Sequence, residues 1–280
     1  MKRSEFRSEF LARLTSLYDE REIAAMLRWY VQDRLGIAYH LFVLSPDMEM
    51  PDTIPYLSDL QKLTDGMPLQ HVTGFTEFHA LRFDTDARAL IPRPETEELV
   101  STILEDWNGR QNVRILDIGT GSGIIAVTLA KKMQSAIVEA TDISGDALTL
   151  AQQNAGLNNV DVNFWQSDIL KIDKLPCEYD VIVSNPPYIP ESTKKSLHKN
   201  VTEFEPALAL FVPDDNPLIF YDKIARLAFT ALSPKGKLYF ETYEEFHKET
   251  YDLLKDIGFV EIECRNDFYG RPRFVIAQHP

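Results

Sequence analysis

Short apolar runs rich in β-branched residues alternate with stretches of helical periodicity from residue 113 to residue 257. This alternation predicts an α/β fold, in which parallel strands form a sheet, helices cover both faces and the crossovers are right-handed. The last two predicted strands follow each other without a helix, so we expect them to pair antiparallel as a closing hairpin. The predicted strands are 113–118, 136–141, 160–165, 181–184, 237–241, 259–264 and 274–277, and the predicted helices are 124–132, 145–155, 219–232 and 248–257.

The sequence before this sheet has two other periodicities. Apolar residues recur at spacings of three and four from Phe6 to Val31, which is typical of amphipathic helices. From Gly74 the apolar period changes to two, which predicts a hairpin or an extended linker. Pro94 is suited to the first position of the next helix. The predicted domains are a helical N-terminal domain over residues 1–72, a hairpin linker over 73–92 and the domain with the sheet over 93–280.

The net charge argues against nucleic acid as a direct partner. The 29 Lys and Arg residues are outnumbered by 43 Asp and Glu residues, which gives a net charge of −14. A surface this acidic repels a phosphate backbone on average. The best candidate for a local basic patch consists of Lys194, Lys195, His198 and Lys199. We interpret this patch as a solvated loop rather than a binding groove.

Cysteine usage and hydropathy indicate the compartment. Cys177 and Cys264 are the two cysteines and form no C-x-x-C pair, which argues against a disulfide framework and a zinc site. No apolar run approaches the roughly 18 residues of a membrane helix. The N-terminus lacks the hydrophobic stretch of a signal peptide. We therefore expect a cytoplasmic protein without a bound metal and without membrane contact. We also expect a monomer, although these observations do not bear on the oligomeric state.

A glycine-rich turn follows the first predicted strand of the sheet. Its sequence is Asp117-Ile118-Gly119-Thr120-Gly121-Ser122-Gly123. Alternating glycines let the backbone approach a ligand closely. The D-x-G-x-G-x-G spacing differs from the G-x-G-x-x-G of dinucleotide sites and resembles the nucleoside-binding loop of class I methyltransferases. The alternative is a tight connection between a strand and a helix.

Two more acidic residues follow the next two strands. Asp142 ends the strand after the glycine turn, where a carboxylate can accept hydrogen bonds from both ribose hydroxyls. Its alternative role is as helix N-cap, which Ser144 is equally able to fill. Asp168 follows the third strand and is placed to accept from an adenine amine, with Ile169 packed near the base; its alternative role is in a turn. All these acids are expected at the carboxyl edge of the sheet, where open α/β folds bind ligands.

The segment Asn185-Pro186-Pro187-Tyr188 ends a buried strand and carries the sharpest chemical signal. An amide or aryl amine nitrogen is a poor nucleophile, so a catalyst must fix it in line with the methyl donor and draw its hydrogens toward acceptors. Asn185 supplies a side-chain carbonyl and Pro186 a backbone carbonyl. Tyr188 offers a ring on which a planar group can stack. The alternative, a rigid surface turn, explains the prolines but not the amide and the aromatic residue beside them.

The glycine-rich turn and the Asn-Pro-Pro-Tyr segment together resemble two groups of enzymes. One group is the adenine amino-methyltransferases of DNA or RNA, and the other is the family that methylates the glutamine of the Gly-Gly-Gln tripeptide in peptide-chain release factors. Three further segments are similar to the release-factor family, in the same order and spacing. They are Pro68-Leu69-Gln70-His71-Val72-Thr73-Gly74, Leu90-Ile91-Pro92-Arg93-Pro94-Glu95-Thr96-Glu97 and Phe204-Glu205-Pro206-Ala207-Leu208-Ala209-Leu210.

The resemblance implies a helical substrate-recognition domain, joined by a hairpin to a seven-stranded, Rossmann-like class I methyltransferase domain that uses S-adenosylmethionine and releases S-adenosylhomocysteine. It implies that Asn185 and Pro186 hold the substrate glutamine near Pro187 and Tyr188, with Arg93 near the mouth of the site. Relatives often carry an aromatic residue where this chain has Ile169. The implied cofactor contacts are Asp117, Gly119, Thr120, Gly121, Ser122, Gly123, Asp142, Asp168, Ile169 and Asn185.

We therefore expect a methyltransferase that acts on the glutamine side-chain amide of release factors. An adenine amino-methyltransferase is the alternative enzyme, and it predicts a target-recognition insert and a basic face, neither of which is visible. A non-catalytic interaction protein on the same scaffold is the alternative from another class. The intact glycines, acids and Asn-Pro-Pro-Tyr segment argue against that loss of function.

Overall fold

The computed structural model of the protein describes residues 1–52 and 54–280, and the chain forms two compact units. The first unit comprises residues 1–75 and 198–204, and the second comprises 76–197 and 205–280. Among the described residues, no helix has the length and apolar character needed to cross a lipid bilayer.

The secondary-structure elements are named here in chain order. The helices are α1 (Arg3–Leu14), α2 (Glu20–Trp29), α3 (Tyr39–Leu44), α4 (Tyr56–Thr64), α5 (Leu69–Thr73), α6 (Pro94–Asp106), α7 (Ile124–Lys132), α8 (Gly145–Leu157), α9 (Lys199–Phe204), α10 (Ile219–Ala231) and α11 (His247–Ile257). The strands are β1 (Phe75–Phe78), β2 (Leu81–Asp84), β3 (Arg114–Ile118), β4 (Ile137–Asp142), β5 (Asn163–Gln166), β6 (Tyr179–Ser184), β7 (Ile189–Pro190), β8 (Phe211–Val212), β9 (Leu232–Glu241), β10 (Val260–Asn266) and β11 (Pro272–Gln278).

The first unit is helical, as the spacing of its apolar residues predicts. Helices α1 to α5 and α9 belong to it. Phe6 and Phe10 on α1, Leu27 on α2 and Leu60 on α4 are almost fully buried and share one hydrophobic core. Burial of such side chains provides about 1.5–3 kcal/mol each and holds these short helices together.

The second unit is built on a seven-stranded sheet with the strand order β10-β11-β9-β6-β3-β4-β5. The five strands from β9 to β5 in this order run parallel to their neighbours. Strand β11 pairs antiparallel with both β9 and β10. The predicted mostly parallel sheet with a closing antiparallel hairpin is therefore confirmed.

Side chains of the central strands alternate between two buried layers. Ile115 and Val181 face one layer, which includes residues of α6, α7 and α8. Leu116 and Ile182 face the other layer, which includes residues of α10 and α11. Strands that are buried on both faces must be apolar almost throughout, and this explains the continuous apolar runs in the sequence.

The register brings the carboxyl ends of four strands to one edge. Ile118 of β3 lies beside Thr141 of β4 and Ser184 of β6, and Ser184 lies beside Phe240 of β9. The chain leaves β3 for β4 on one side and later places β6 on the other. This reversal of strand order creates the crevice where open α/β sheets bind ligands.

Three local features differ from the sequence-based expectations. Strand β5 begins at Asn163, because Val160 and Val162 pack against the core from outside the ladder. Strand β9 begins directly after α10, at Leu232. The four residues of the predicted basic patch are exposed, as expected, but the segment is not all loop: Lys194 and Lys195 lie on a 3-10 turn at Glu191–Ser196, and Lys199 begins α9. The Lys194 ammonium sits 5.3 Å from the ring centroid of Phe211.

Candidate active site

A cavity of about 290 Å³ opens at the carboxyl edge of the sheet, at the reversal of strand order. Its walls come from the turns after β3, β4, β5 and β6, from the segment before α6 and from residues 206–209. Most of the predicted site residues line it. They are Arg93, Gly119, Thr120, Gly121, Ser122, Asp142, Asp168, Ile169, Asn185, Pro186 and Pro187.

Three predicted site residues are placed elsewhere. Asp117, Gly123 and Tyr188 do not line the cavity. Each of them lies next to a residue that does.

Asp117 supports the glycine turn from below. It is fully buried, and its Oδ2 accepts hydrogen bonds from Thr120 Oγ1 at 2.6 Å and from the Ala126 backbone N–H at 3.3 Å. Burial raises the pKa of Asp117 to about 7, although the hydrogen bond from Thr120 lowers it. The carboxyl therefore ties the start of the turn to the first residues of α7.

Gly123 is required for packing between two helices. Its φ is +80°, and a Cβ at this position would lie 2.9 Å from the Cβ of Ala151 on α8. Any larger residue would push α7 away from α8. The tight strand-to-helix connection that the sequence allowed as an alternative is thus part of what these glycines provide, while Gly119 and Gly121 line the cavity.

Asp142 joins the glycine turn to the start of α8. Its Oδ2 accepts from the Gly121 N–H at 2.9 Å, and its Oδ1 accepts from the Ser144 N–H at 2.9 Å. Ser144 is the N-cap of α8, since its hydroxyl accepts from the Ala147 N–H. Burial raises the pKa of Asp142. Each carboxylate oxygen keeps a second lone pair, so the group can still accept hydrogen bonds from a ligand in the cavity.

Asp168 and Ile169 form the wall that follows β5. The Lys171 ammonium lies 2.8 Å from Asp168 Oδ2 and lowers the pKa of this carboxyl. Asp168 Oδ1 also accepts from the Leu170 N–H, so the residue shapes its own turn. Ile169 is buried and belongs to the core layer that contains Ile118 and Ile224. It gives this part of the cavity an aliphatic surface.

Asn185 follows β6 and belongs to a chain of hydrogen bonds that the sequence did not reveal. Its Nδ2 donates to Thr96 Oγ1 at 3.4 Å, and Thr96 Oγ1 donates to Glu241 Oε2 at 2.7 Å. Thr96 and Glu241 are both buried, and burial raises the pKa of Glu241 to about 7. Glu241 is an acid at the carboxyl end of a buried strand, as Asp142 is, and this shared position is the signal that points to it.

Tyr188 lies just beyond the two prolines and stacks on another aromatic ring. The centroids of Tyr188 and Tyr243 are 5.7 Å apart, with 18° between the ring planes. Burial raises the pKa of the Tyr188 hydroxyl, and the charge of Glu241 adds to this effect. One face of the ring is thus occupied by Tyr243.

Glu205 fixes the segment that precedes α6. Its side chain is 1% exposed and pairs with Arg93, with Nη2 and Oε1 2.6 Å apart. Its Oε2 accepts from the Ile91 N–H at 3.1 Å. In the sequence, Glu205 is noted only as part of a segment similar to the family. The structure shows that its contacts hold one wall of the cavity in place.

The charged groups around the cavity suit a nucleoside ligand without phosphate. Among the described residues that line the cavity, the cations are Arg88 and Arg93, and each is paired with a carboxylate, Asp86 and Glu205 respectively. A pyrophosphate needs free donors or cations, whereas ribose hydroxyls need an acceptor such as Asp142. The residues present therefore fit S-adenosylmethionine.

Comparison with known proteins places this site in a family. The Methyltransferase small domain family matches residues 94–205. The release factor glutamine methyltransferase of Flavobacterium psychrophilum is 43% identical, over 96% of this chain and 96% of that protein. The enzyme of the same name from Bacteroides thetaiotaomicron is 40% identical, over 94% of this chain and 95% of that protein.

Solved structures share the fold at lower identity. A methyltransferase from Pyrococcus furiosus superimposes with a TM-score of 0.54 at 20% identity, over 71% of this chain and 89% of that one. A 16S rRNA N2 G1207 methyltransferase from T. thermophilus gives a TM-score of 0.53 at 15% identity, over 74% of this chain and 50% of that one. These likenesses establish the class I methyltransferase fold. With identities of 40% and more over nearly the full length, the chain belongs to the release factor glutamine methyltransferases, a family of S-adenosylmethionine-dependent enzymes.

Proposed function

We propose that the protein methylates the side-chain amide nitrogen of the glutamine in the Gly-Gly-Gln motif of peptide-chain release factors. The observation that carries this proposal is the position of Asn185 in the cavity wall, with its Nδ2 engaged by Thr96. Its carbonyl oxygen is thereby left to accept a hydrogen bond from another amide. The names of relatives at 43% and 40% identity support the choice of release factors as the substrate.

The side chains act on the nucleophile by position. When bound, S-adenosylmethionine supplies a methyl group on a positively charged sulfur. Asn185 Oδ1 and the Pro186 carbonyl accept hydrogen bonds from the two N–H groups of the glutamine amide and hold its nitrogen toward that methyl group. Once the N–C bond has formed and the S–C bond has broken, S-adenosylhomocysteine is the leaving group, and the now acidic nitrogen releases one proton to water. No strong base is required before the transfer.

Other residues hold the cofactor and the walls. Asp142 accepts from the ribose hydroxyls, and Gly119 to Ser122 allow close approach of the backbone. Asp168 accepts from the adenine amine, and Ile169 packs against the base. Asp117 and Gly123 keep the turn in shape from beneath.

The substrate side of the site is formed by the two prolines and the segment before α6. Pro187 adds to the rigid wall, and Arg93 lies where the release factor enters. Tyr188, stacked on Tyr243, holds the turn that carries Asn185. We propose that the enzyme works in the cytoplasm as a monomer and that the N-terminal helical unit contacts the release factor.

Mass spectrometry tests this function. The protein is incubated with S-adenosylmethionine carrying a labelled methyl group and purified release factor, and the tryptic peptides are analysed. We expect one labelled methyl group on the glutamine of Gly-Gly-Gln. A release factor with Ala in place of that glutamine serves as the control and should stay unlabelled.

Duplex DNA and ribosomal RNA are assayed in parallel. Transfer to adenine at a rate that matches or exceeds transfer to the release factor would overturn the proposal in favour of a nucleic-acid methyltransferase.

A further inference from the structure

We propose that Thr96 and Glu241 are positioning residues, which fix the side-chain amide of Asn185 with its oxygen toward the substrate nitrogen. This inference rests on the proposed function. It adds two residues, from α6 and β9, to Asn185 and Pro186, which contact the substrate amide.

The three side chains form a continuous chain of contacts beside the cavity. Asn185 Nδ2 lies 3.4 Å from Thr96 Oγ1, which lies 2.7 Å from Glu241 Oε2. Thr96 is 3% exposed and Glu241 is 1% exposed, so water does not compete for these bonds. The sheet brings the ends together, because β6 and β9 are neighbours and Ser184 is paired with Phe240.

The direction of the hydrogen bonds follows from the number of hydrogens. An ionised carboxylate only accepts, and a hydroxyl has one hydrogen to donate. Thr96 gives that hydrogen to Glu241, so toward Asn185 it can only accept. Asn185 must therefore present its NH₂ group to Thr96 and turn its oxygen elsewhere. The oxygen is the atom that a substrate amide needs.

Protonation of Glu241 reverses this direction. A protonated carboxyl donates to Thr96, and Thr96 then donates its own hydrogen to Asn185. The amide of Asn185 turns its oxygen to Thr96, and the NH₂ group that replaces it repels the hydrogens of a substrate amide. The chain of hydrogen bonds thus converts the ionisation of a buried acid into the orientation of the group that contacts the substrate.

Near neutral pH, the ionised and protonated forms of Glu241 are both accessible. Burial raises its pKa to about 7, and the hydrogen bond from Thr96 and the nearby arginines act against this rise. The ionisable groups that face it from other elements are Arg93 and Glu95 at the start of α6, Arg273 of β11, Tyr188 after β6 and Tyr221 of α10. The active orientation should therefore be lost as the pH falls below neutrality.

We call the chain of hydrogen bonds from Glu241 through Thr96 to Asn185 the relay. Thr96→Val tests it, because valine lacks the hydroxyl and keeps the shape of the threonine side chain. We measure kcat on release factor at saturating S-adenosylmethionine from pH 5.5 to 8.5. For the wild-type protein we expect kcat to fall with acid. For Thr96→Val we expect a kcat at least about 10-fold lower at pH 8, little change in KM, and no fall with acid. Thr96→Ser keeps the hydroxyl and should restore both the rate and the acid dependence.

Two further variants separate positioning from structure. Thr128→Val removes another fully buried threonine hydroxyl, one that has no hydrogen-bond partner among the described residues, and should leave kcat unchanged. Glu241→Gln cannot ionise and should lose the acid dependence, which tests the relay even if Thr96→Val does not fold.

The outcomes are distinct. Wild-type kcat in Thr96→Val, failure of Thr96→Ser to restore the rate, or an unchanged acid dependence in Glu241→Gln overturns the relay while the proposed function stands. A wild-type protein that transfers no methyl group to release factor overturns the proposed function and the relay with it.

Discussion

Asn185 is the residue whose loss should most directly slow the transfer of the methyl group. Asn185→Ala removes one acceptor for the amide hydrogens and lets the substrate nitrogen leave the line of attack. Misplacement of this kind costs on the order of 100-fold in rate. The loss should appear in kcat, with little change in KM for the release factor, because most of the binding area of a protein partner lies outside so small a cavity.

Steady-state kinetics of Asn185→Ala, with a separate check that the cofactor still binds, measures this effect. A normal kcat together with a greatly raised KM would show that Asn185 merely holds the release factor.

Asp142 should control the affinity for S-adenosylmethionine. Asp142→Ala removes the charged acceptor proposed for the ribose hydroxyls, and it also frees the N–H groups of Gly121 and Ser144. Hydrogen bonds to charged groups contribute about 1.5–3 kcal/mol each, which corresponds to a loss of affinity of roughly 10-fold or more. Calorimetric titration of the wild-type protein and of Asp142→Ala with S-adenosylmethionine measures this loss of affinity.

Ser144→Ala is the matched control for Asp142→Ala, since it removes the N-cap of α8 but leaves the carboxylate in place. If both variants lose affinity equally, Asp142 acts by organising the start of α8 rather than by contact with the ribose.

The sequence predicted roles for residues whose place follows from local pattern and assigned none to residues that act across the fold, not even to Thr96, which lies within one of the family segments. Asp142 and Asn185 each follow a predicted strand, so their place at the sheet edge could be derived from local pattern. Thr96 and Glu241 are 145 residues apart in the chain, and their contact depends on how α6 packs against β9. Side-chain hydrogen bonds between distant elements leave no periodic signal in a sequence.

At the level of elements, the contact between α7 and α8 depends on a glycine. Gly123→Ala would place a Cβ 2.9 Å from that of Ala151 and force a non-glycine residue to adopt a φ of +80°. Overpacking costs about 1–3 kcal/mol, and the left-handed backbone adds about 1 kcal/mol. We expect the free energy of unfolding in urea to fall by a few kcal/mol, and affinity for the cofactor to fall with it.

Gly156→Ala supplies the comparison for Gly123→Ala. Gly156 lies in α8, and a Cβ there would meet nothing within 4 Å. Alanine loses less conformational freedom on folding, so this variant should gain about 0.4–1 kcal/mol. Equal effects of the two substitutions would contradict the packing argument.

The order of strands and helices along the chain could be predicted better than which strands are neighbours in the sheet. Alternating strands and helices define a parallel sheet with one handedness, and two consecutive strands define the closing hairpin. The insertion of β11 between β9 and β10 does not follow from sequence order. The two-residue strands β7 and β8, which pair parallel, are too short to leave a pattern.

At the level of the whole molecule, buried acids should make stability depend on pH near neutrality. Burial raises the pKa of Asp117 from 3.8 to about 7, so the folded state binds a proton more tightly than the unfolded state. The contribution of Asp117 to the free energy of unfolding is therefore fully present below about pH 4 and is lost as the pH rises to about 7. It amounts to at most about 4 kcal/mol.

Urea unfolding of Asp117→Asn and of the wild-type protein from pH 5 to pH 8 tests this dependence. The wild-type protein should lose stability relative to the variant as the pH rises. Asp106→Asn is the control. Burial acts to raise the pKa of Asp106, but hydrogen bonds from Lys237 and Tyr239 together with nearby positive charges lower it overall. Its contribution to the free energy of unfolding is therefore lost only below about pH 4, outside this range. A parallel pH dependence for all three proteins would contradict the prediction.

The assignment of residues 198–204 to the first unit has a consequence for synthesis on the ribosome. Tyr18 and His198 lie with ring centroids 5.9 Å apart, and Phe204 lies beside Gly66. The ribosome must add about 130 residues after residue 75 before Phe204 exists, which takes on the order of 10 s at typical rates of elongation. During that interval the N-terminal helices lack residues 198–204, which complete their unit. The unit that emerges first therefore cannot be completed until residues 76–197 of the second unit have been synthesised, and a gene fragment that stops at residue 75 encodes it without one of its own helices.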